Sequence, residues 1–274
     1  MNNILLGISI LILASCGNGN SKSTEKNNSN GSHFEWNFNK QRKFIYSFSQ
    51  TVNGENKMDK DRPADKNYVT GVGQLNITVK ENNLADISLT DIEMKIIEFS
   101  QDETPKDTMT HNAPTTVVQD MKTNGSFEDS NTEVLFDFLF PLPNKNILDG
   151  KSDEISMKMP FNANGSILFS KGQNKLTFLE FKEIEGRKCV VFKGDINISE
   201  LEVPAELKGN YKYTTIGNAT YYFDLENGYY VGADVKMVMD VLMDTETHKY
   251  DESGMYMETT SESVYKIRLK KIEE

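Results

Sequence analysis

Apolar and polar residues alternate with a period of two along much of this chain, and the clearest case runs from Tyr229 to Met243. Tyr229, Val231, Ala233, Val235, Met237, Met239, Val241 and Met243 take alternate positions, with Asp234, Lys236 and Asp240 between them and Asp244 following. Successive side chains of a β-strand point to opposite faces, so this pattern predicts a long strand with one buried and one mostly wet face. Val238 and Leu242 interrupt the polar side, so part of that face is expected to be covered as well. The preceding strand, about Asn218 to Leu225, leads into Glu226-Asn227-Gly228. Asn-Gly predicts a type I′ hairpin turn, which needs two positive φ angles. A C-terminal strand repeats the logic, with Met255, Met257, Thr259, Ser261, Ser263, Tyr265, Ile267 and Leu269 on one face.

The same reasoning predicts strands around Phe44-Tyr46-Phe48, at Leu75-Ile77-Val79, and from Leu84 to Phe99 after Glu81-Asn82-Asn83. Ile155–Met159, Ile167–Phe169, Leu176–Phe181 and Cys189–Phe192 add four more, with Glu185-Gly186 as the turn between the last two. The mostly apolar run Val134–Phe140 reads as a central strand. Only Ser199–Leu207 reads as helical, with Ser199 as N-cap and Pro204 holding it to about a turn. The expected fold class is all-β: long antiparallel strands in curved meandering sheets or an open or half barrel. The order strand, Asn-bearing turn, long strand occurs once in each half, and Pro141-Leu142-Pro143 lies between them. Two β halves, 34–141 and 142–274, are therefore expected, either as related units or simply as two sets of similar hairpins.

The N-terminus has a different pattern. Ile4 to Leu13 is an apolar run that ends in Leu13-Ala14-Ser15-Cys16-Gly17. Ten residues are too few to span a bilayer, which takes ~20, but they suit a signal-peptide core followed by small residues. This segment resembles the lipobox of bacterial lipoproteins, although Met1-Asn2-Asn3 lacks the usual Lys or Arg. The resemblance implies cleavage after residue 15, diacylglycerol in thioether linkage to Cys16 and acylation of its new amino group. Residues 16–33 would then be the lipidated Cys and a flexible tether, since Gly17–Ser32 holds only Gly, Asn, Ser, Lys, Thr and Glu. The tether could extend ~55 Å. It carries a single acidic residue, Glu25, flanked by Lys22 and Lys26. That points to the periplasmic face of the outer membrane, with the cell surface as the alternative.

From Pro141 onward, Pro141-Leu142-Pro143, Asp149-Gly150, Ile184-Glu185-Gly186-Arg187 and Gly217–Gly228 resemble a family of uncharacterised Bacteroidota lipoproteins. The likeness covers about half the chain and consists of turn chemistry. The family tends to carry Asp and Trp after the connector Gly, where this chain has Lys151 and Ser152. It implies a β architecture and no known activity, and it assigns no functional residue.

The remaining chemistry narrows the classes. Net charge is −11, from 41 acidic and 30 basic residues, which argues against nucleic acid as a partner. With Cys16 lipidated, Cys189 is left in the apolar stretch Cys189-Val190-Val191-Phe192 and reads as a buried small hydrophobe. His33, His111 and His248 stand in no catalytic context, so no catalytic residue, metal ligand or cofactor is assigned. Met157, Met159, Val235, Met237, Met239, Met255 and Met257 fall on alternating strand positions. They read as a packed face or as the lining of a pliable apolar cavity. The acidic stretch Asp244–Glu252 lacks EF-hand spacing and reads as a solvated hairpin tip. Asp107-Thr108-Met109, in a polar loop, is similar to the Asp-Ser/Thr-apolar signal for O-glycosylation in Bacteroidota envelope proteins and makes Thr108 a candidate acceptor. The leading expectation is a non-enzymatic envelope binding or scaffolding module whose partners are the membrane, through Cys16, and an envelope protein. The alternatives are a carrier of lipid or another apolar ligand and, last, an envelope hydrolase.

Overall fold

The computed structural model describes residues 34–100, 102–127, 133–163, 166–245 and 255–274, and the alternating stretches among them are strands. In chain order these are β1 (Lys43–Lys57), β2 (Asp65–Val79), β3 (Ala85–Phe99), β4 (Pro105–Asn112) and β5 (Thr116–Met121). After the helix α1 (Glu133–Leu139) come β6 (Ser152–Ala163), β7 (Ser166–Ile184), β8 (Arg187–Glu202), β9 (Asn210–Asp224), β10 (Tyr229–Thr245) and β11 (Met255–Glu273). They form one antiparallel sheet in the order β4-β3-β2-β1-β11-β10-β9-β8-β7-β6, with β5 beside β4 on the outer edge of β3. The sheet is curved and does not close into a barrel. The expected all-β class is therefore observed, and it is a single sheet. Its middle joins the first strand to the last: Tyr46 lies opposite Leu269 and Phe48 opposite Ile267. Residues on both sides of Pro141 share one core.

Period-two burial is clearest on β1 and β11. Phe44, Tyr46, Phe48, Gln50 and Val52 alternate inward on β1, and Thr259, Ser261, Ser263, Tyr265, Ile267 and Leu269 do so on β11, as their spacing predicts. On β10 the pattern breaks once. A bulge between Tyr230 and Gly232 leaves five consecutive buried residues, Tyr229 to Ala233. The extra residue breaks the simple alternation and lets Tyr230 join the aromatic core.

Three expectations are corrected. Val134–Phe140 is not a strand: Glu133–Leu139 is helical, and the Phe140 N–H donates to the Phe136 carbonyl at 2.8 Å. Leu135, Phe136, Phe138 and Leu139 are all buried, because α1 lies in the hollow of the sheet and has apolar neighbours on several sides. A short apolar run of that kind has no period that separates helix from strand. Ser199–Leu207 is not helical: β8 runs on to Glu202 because β7 offers it Phe169–Lys171 as partners, and a turn from Pro204 to Leu207 follows. Asp107-Thr108-Met109 is not in a loop but in β4, an edge strand exposed at every residue; Thr108 N–H donates to its neighbour's Asp107 Oδ1 at 2.7 Å.

The turns show where backbone chemistry decides. At Glu226-Asn227-Gly228 only Gly228 has positive φ, 69°, so the expected type I′ turn is absent. Instead the Gly228 N–H reaches back to the Asp224 carbonyl, 2.8 Å, and the Asp224 carboxylate accepts from Asn227 N and Nδ2 at 3.0 and 2.9 Å. The type I′ signature belongs to β7–β8, where Glu185 and Gly186 have φ of 49° and 75°. Glutamate is a poor occupant of that region, which Asn and Gly visit more readily. The E185N variant is expected to gain about 0.5 kcal/mol, read as a higher urea midpoint with unchanged slope.

Candidate functional site

The inner face of the curved sheet is where side chains from the most elements meet. At one end, residues 34–38 form a strap across it. Phe34, Trp36 and Phe38 are each 1% exposed, whereas Glu35 faces out. Two backbone bonds hold the strap, Trp36 N to the Thr123 carbonyl at 2.7 Å and Asn37 N to the Gly228 carbonyl at 2.8 Å. The first anchor follows β5 and the second lies between β9 and β10, so the strap ties together both flanks of the sheet. Arg42 Nη2 donates to the Asn37 carbonyl at 2.6 Å and fixes the turn into β1.

Beneath the strap lies an aromatic cluster. The Trp36 ring lies 5.5 Å from Tyr230 and 5.8 Å from Phe140, and Phe140 lies 4.9 Å from Tyr230. Three fully buried phenols, Tyr46, Tyr221 and Tyr230, each donate to a main-chain carbonyl. Tyr46 Oη donates to Tyr230 at 2.8 Å, Tyr221 Oη to Phe138 at 2.8 Å, and Tyr230 Oη to Pro141. Asn174 Nδ2 adds a bond to the Tyr221 hydroxyl at 3.1 Å. These bonds fasten α1 and the Pro141 crossing to the sheet. A buried polar group is stabilising only when it is so paired.

The predicted cavity residues do share this inner face. Val235, Met237 and Met239 on β10 and Met157 and Met159 on β6 are buried, while Met255 and Met257 on β11 are half-buried. Three strands, β9, β8 and β7, separate β10 from β6 in the sheet. Gly217 lies opposite Met237 and Gly172 opposite Met157, which leaves room for these side chains in a packed layer. Ser170, Asn174, Thr215 and Ser261 are buried on the same face.

Two small hollows sit elsewhere, between α1 and the first strands. One, about 30 Å³, is lined by Phe48, Gln50, Leu89, Met94, Leu135 and Tyr265; the other, about 20 Å³, by Leu75, Ile87, Val118, Phe127, Phe136 and Leu139 among others. Each admits one or two waters, whereas a ligand pocket takes several hundred Å³. None of the seven predicted residues lines either hollow. Sequence reasoning missed the strap and α1, the two elements that cover the aromatic end. The alternation Phe34-Glu35-Trp36-Asn37-Phe38 was the available signal.

The electrostatics of this face are those of a packed core. Burial is the main cause that pushes the Tyr213 and Tyr265 hydroxyls up to about 12, opposed by the nearby Thr215 and Ser263 side chains. Burial, and then the Asp224 carboxylate, pushes the Cys189 thiol up to about 11, and its Sγ–H points to the Arg187 carbonyl at 3.6 Å. A thiol shifted upward is a poor nucleophile at neutral pH. Of the histidines, His111 is exposed on β4; His33 and His248 lie outside the described residues, as do Cys16 and all but the first two residues of the Asp244–Glu252 stretch. Among the described residues no three metal-ligating side chains converge. Each raised group is neutral in the folded state and ionises earlier when unfolded. Its contribution is therefore complete below about pH 9 for Cys189 and pH 10 for the tyrosines. It is lost as pH rises towards the folded values. The expected outcome is loss of β-sheet circular dichroism above about pH 10, coincident with tyrosinate absorbance, and no such loss between pH 7 and 9.

No protein-family model matches the chain, and no curated protein is significantly similar to it. Among solved structures it is similar to one described as "Lipid-protein interactions in lipovitellin", at 11% identity and a TM-score of 0.44. That match covers 86% of this chain and 26% of the other, so the chain spans about a quarter of the length of that protein. A likeness this distant transfers neither site nor ligand.

Proposed function

We propose that this chain is a lipid-anchored cell-envelope module that binds or scaffolds other envelope components without catalysis. The observation that supports it best is the occupied inner face. The strap, α1 and the aromatic cluster fill one end of the curved sheet, and the two small hollows between α1 and the first strands each have room for no more than a water or two. A protein arranged in this way meets its partners with its outer surfaces and edges. The lipobox supplies the anchor, Cys16, and the tether 17–33 leads directly into the strap. Pull on the lipid would thus be borne by Phe34 and Trp36, which sit in the core.

Metabolic labelling with an alkyne fatty acid tests the anchor. The wild-type chain takes up label and fractionates with the outer membrane, and C16S does neither. Label on C16S, or none on wild type, overturns that part of the reading. Protease treatment of intact cells distinguishes the faces, with survival of the domain expected on the periplasmic side. Native mass spectrometry separates the binding module from the carrier. A mass accounted for by the chain and the lipid on Cys16 is expected, and a further apolar adduct bound to C16S favours the carrier. Intact mass also tests Thr108, whose exposure on β4 suits a glycan.

A further inference from the structure

The end of β7 has an open side. Pairing of β6 with β7 stops at Ser152 opposite Thr177, while β7 continues to Ile184 beside β8. Residues 178–184, Phe-Leu-Glu-Phe-Lys-Glu-Ile, are therefore bonded on one side only among the described residues. Large apolar side chains stand out there: Leu179 is 51% exposed and Phe181 50%. Phe178 packs against Phe181 at 5.2 Å, and Lys188 Nζ lies 5.4 Å from the Phe181 ring. Across a two-residue turn the flanking residues bond to each other, so Ile184 and Lys182 face β8, and Phe181 and Glu183 present N–H and C=O to the open side. Open edges that present large apolar side chains pair with another strand unless they are blocked. β4, the opposite edge, is polar and carries Lys106, Asp107 and His111.

The sequence of the open edge says which strand fits. Laid antiparallel against itself about Phe181, it places Phe181 opposite Phe181, Glu180 opposite Lys182 and Lys182 opposite Glu180. Leu179 then meets Glu183. Both charges are exposed, and neither has an ion-pair partner among the described residues. Directly opposed unlike charges and stacked aromatics are the pairs that stabilise an antiparallel ladder. We propose that the β7 edge, residues 179–183, pairs with the same edge of a second copy about a two-fold axis between the two Phe181 residues, joining two sheets into one. The contact is isologous and closes at two copies, so it does not propagate into a fibre. A bilayer is the poorer occupant, because lipid cannot bond the free backbone groups of Phe181 and Glu183. The pairing is independent of the lipid anchor, although confinement to a membrane would strengthen it by raising the local concentration.

Cross-linking of the full chain in cells tests it. Opposed residues in a bonded pair have Cα atoms about 5.5 Å apart, within disulfide range. F181C is expected to give a disulfide dimer under mild oxidation, and I216C, more exposed on β9, is not. In the F181C background, K182E opposes like charges twice and lowers the dimer yield roughly tenfold. The swapped pair E180K/K182E restores it, which no general effect on folding would do. Equal yields from F181C and I216C, or no restoration by the swap, overturn the proposal. So does an F181W chain quenched by brominated phosphatidylethanolamine vesicles while F181C stays monomeric, which assigns the edge to a bilayer. Labelling of C16S is read separately, so failure of the anchor leaves this result standing.

Discussion

Replacing Trp36 by alanine is expected to lower the unfolding free energy by about 4 kcal/mol, the cost of truncating a fully buried aromatic residue. Trp36 is 1% exposed, and its ring approaches Phe38, Phe44, Phe136, Phe140 and Tyr230 at 5.5–6.3 Å. Those partners belong to the strap, β1, α1, the Pro141 crossing and β10, so the loss is felt by all five segments at once. The indole Nε1 is buried without a hydrogen-bond partner among the described residues. W36F therefore gives up volume but no hydrogen bond, and is expected to cost about 1.5 kcal/mol. Denaturant unfolding followed by circular dichroism measures both. A W36A cost below about 1 kcal/mol would mean that the strap is a loose cover and that Phe34 and Phe38 bear little load.

That expectation depends on an element the pattern along the chain concealed. Alternation in β1, β10 and β11 was legible because each has one face against the core, and period-two spacing is the direct record of that burial. The strap has the same spacing over five residues but no strand partner, so its role emerges only when Thr123 and Gly228, far apart in sequence, are brought beside it. The Val134–Phe140 run misleads for the opposite reason: α1 is buried around most of its circumference, and the half-buried Asp137 alone is too little polar surface to mark its period. At Asn227-Gly228 the turn chemistry was outweighed by Asp224, whose buried carboxylate organises a longer turn. The methionine positions lie on one face of the sheet. Whether that face is filled or hollow depends on what crosses it, and three-dimensional coverage leaves no mark on strand alternation.

Gly172 is one position where coverage is set by the backbone itself. It lies on β7 at a register shift, opposite Ile198 on one side and Met157 on the other. A Cβ placed there would stand 2.0 Å from the Asn197 carbonyl oxygen and 2.5 Å from the Ile198 Cα. Both are backbone atoms of β8, so no side-chain rotation relieves the overlap, and the two strands must separate at the point where the sheet bends. G172A is expected to cost about 3 kcal/mol, at the upper end of overpacking effects. Gly150 supplies the control: its φ is +82°, and nothing lies within 4 Å of its absent Cβ. G150A meets only the left-handed backbone penalty, about 1 kcal/mol. Urea midpoints of the two variants separate the causes, since close strand approach predicts that G172A is the more damaging by at least twofold in free energy. Equal costs would show that β7 and β8 can part at Gly172 without loss.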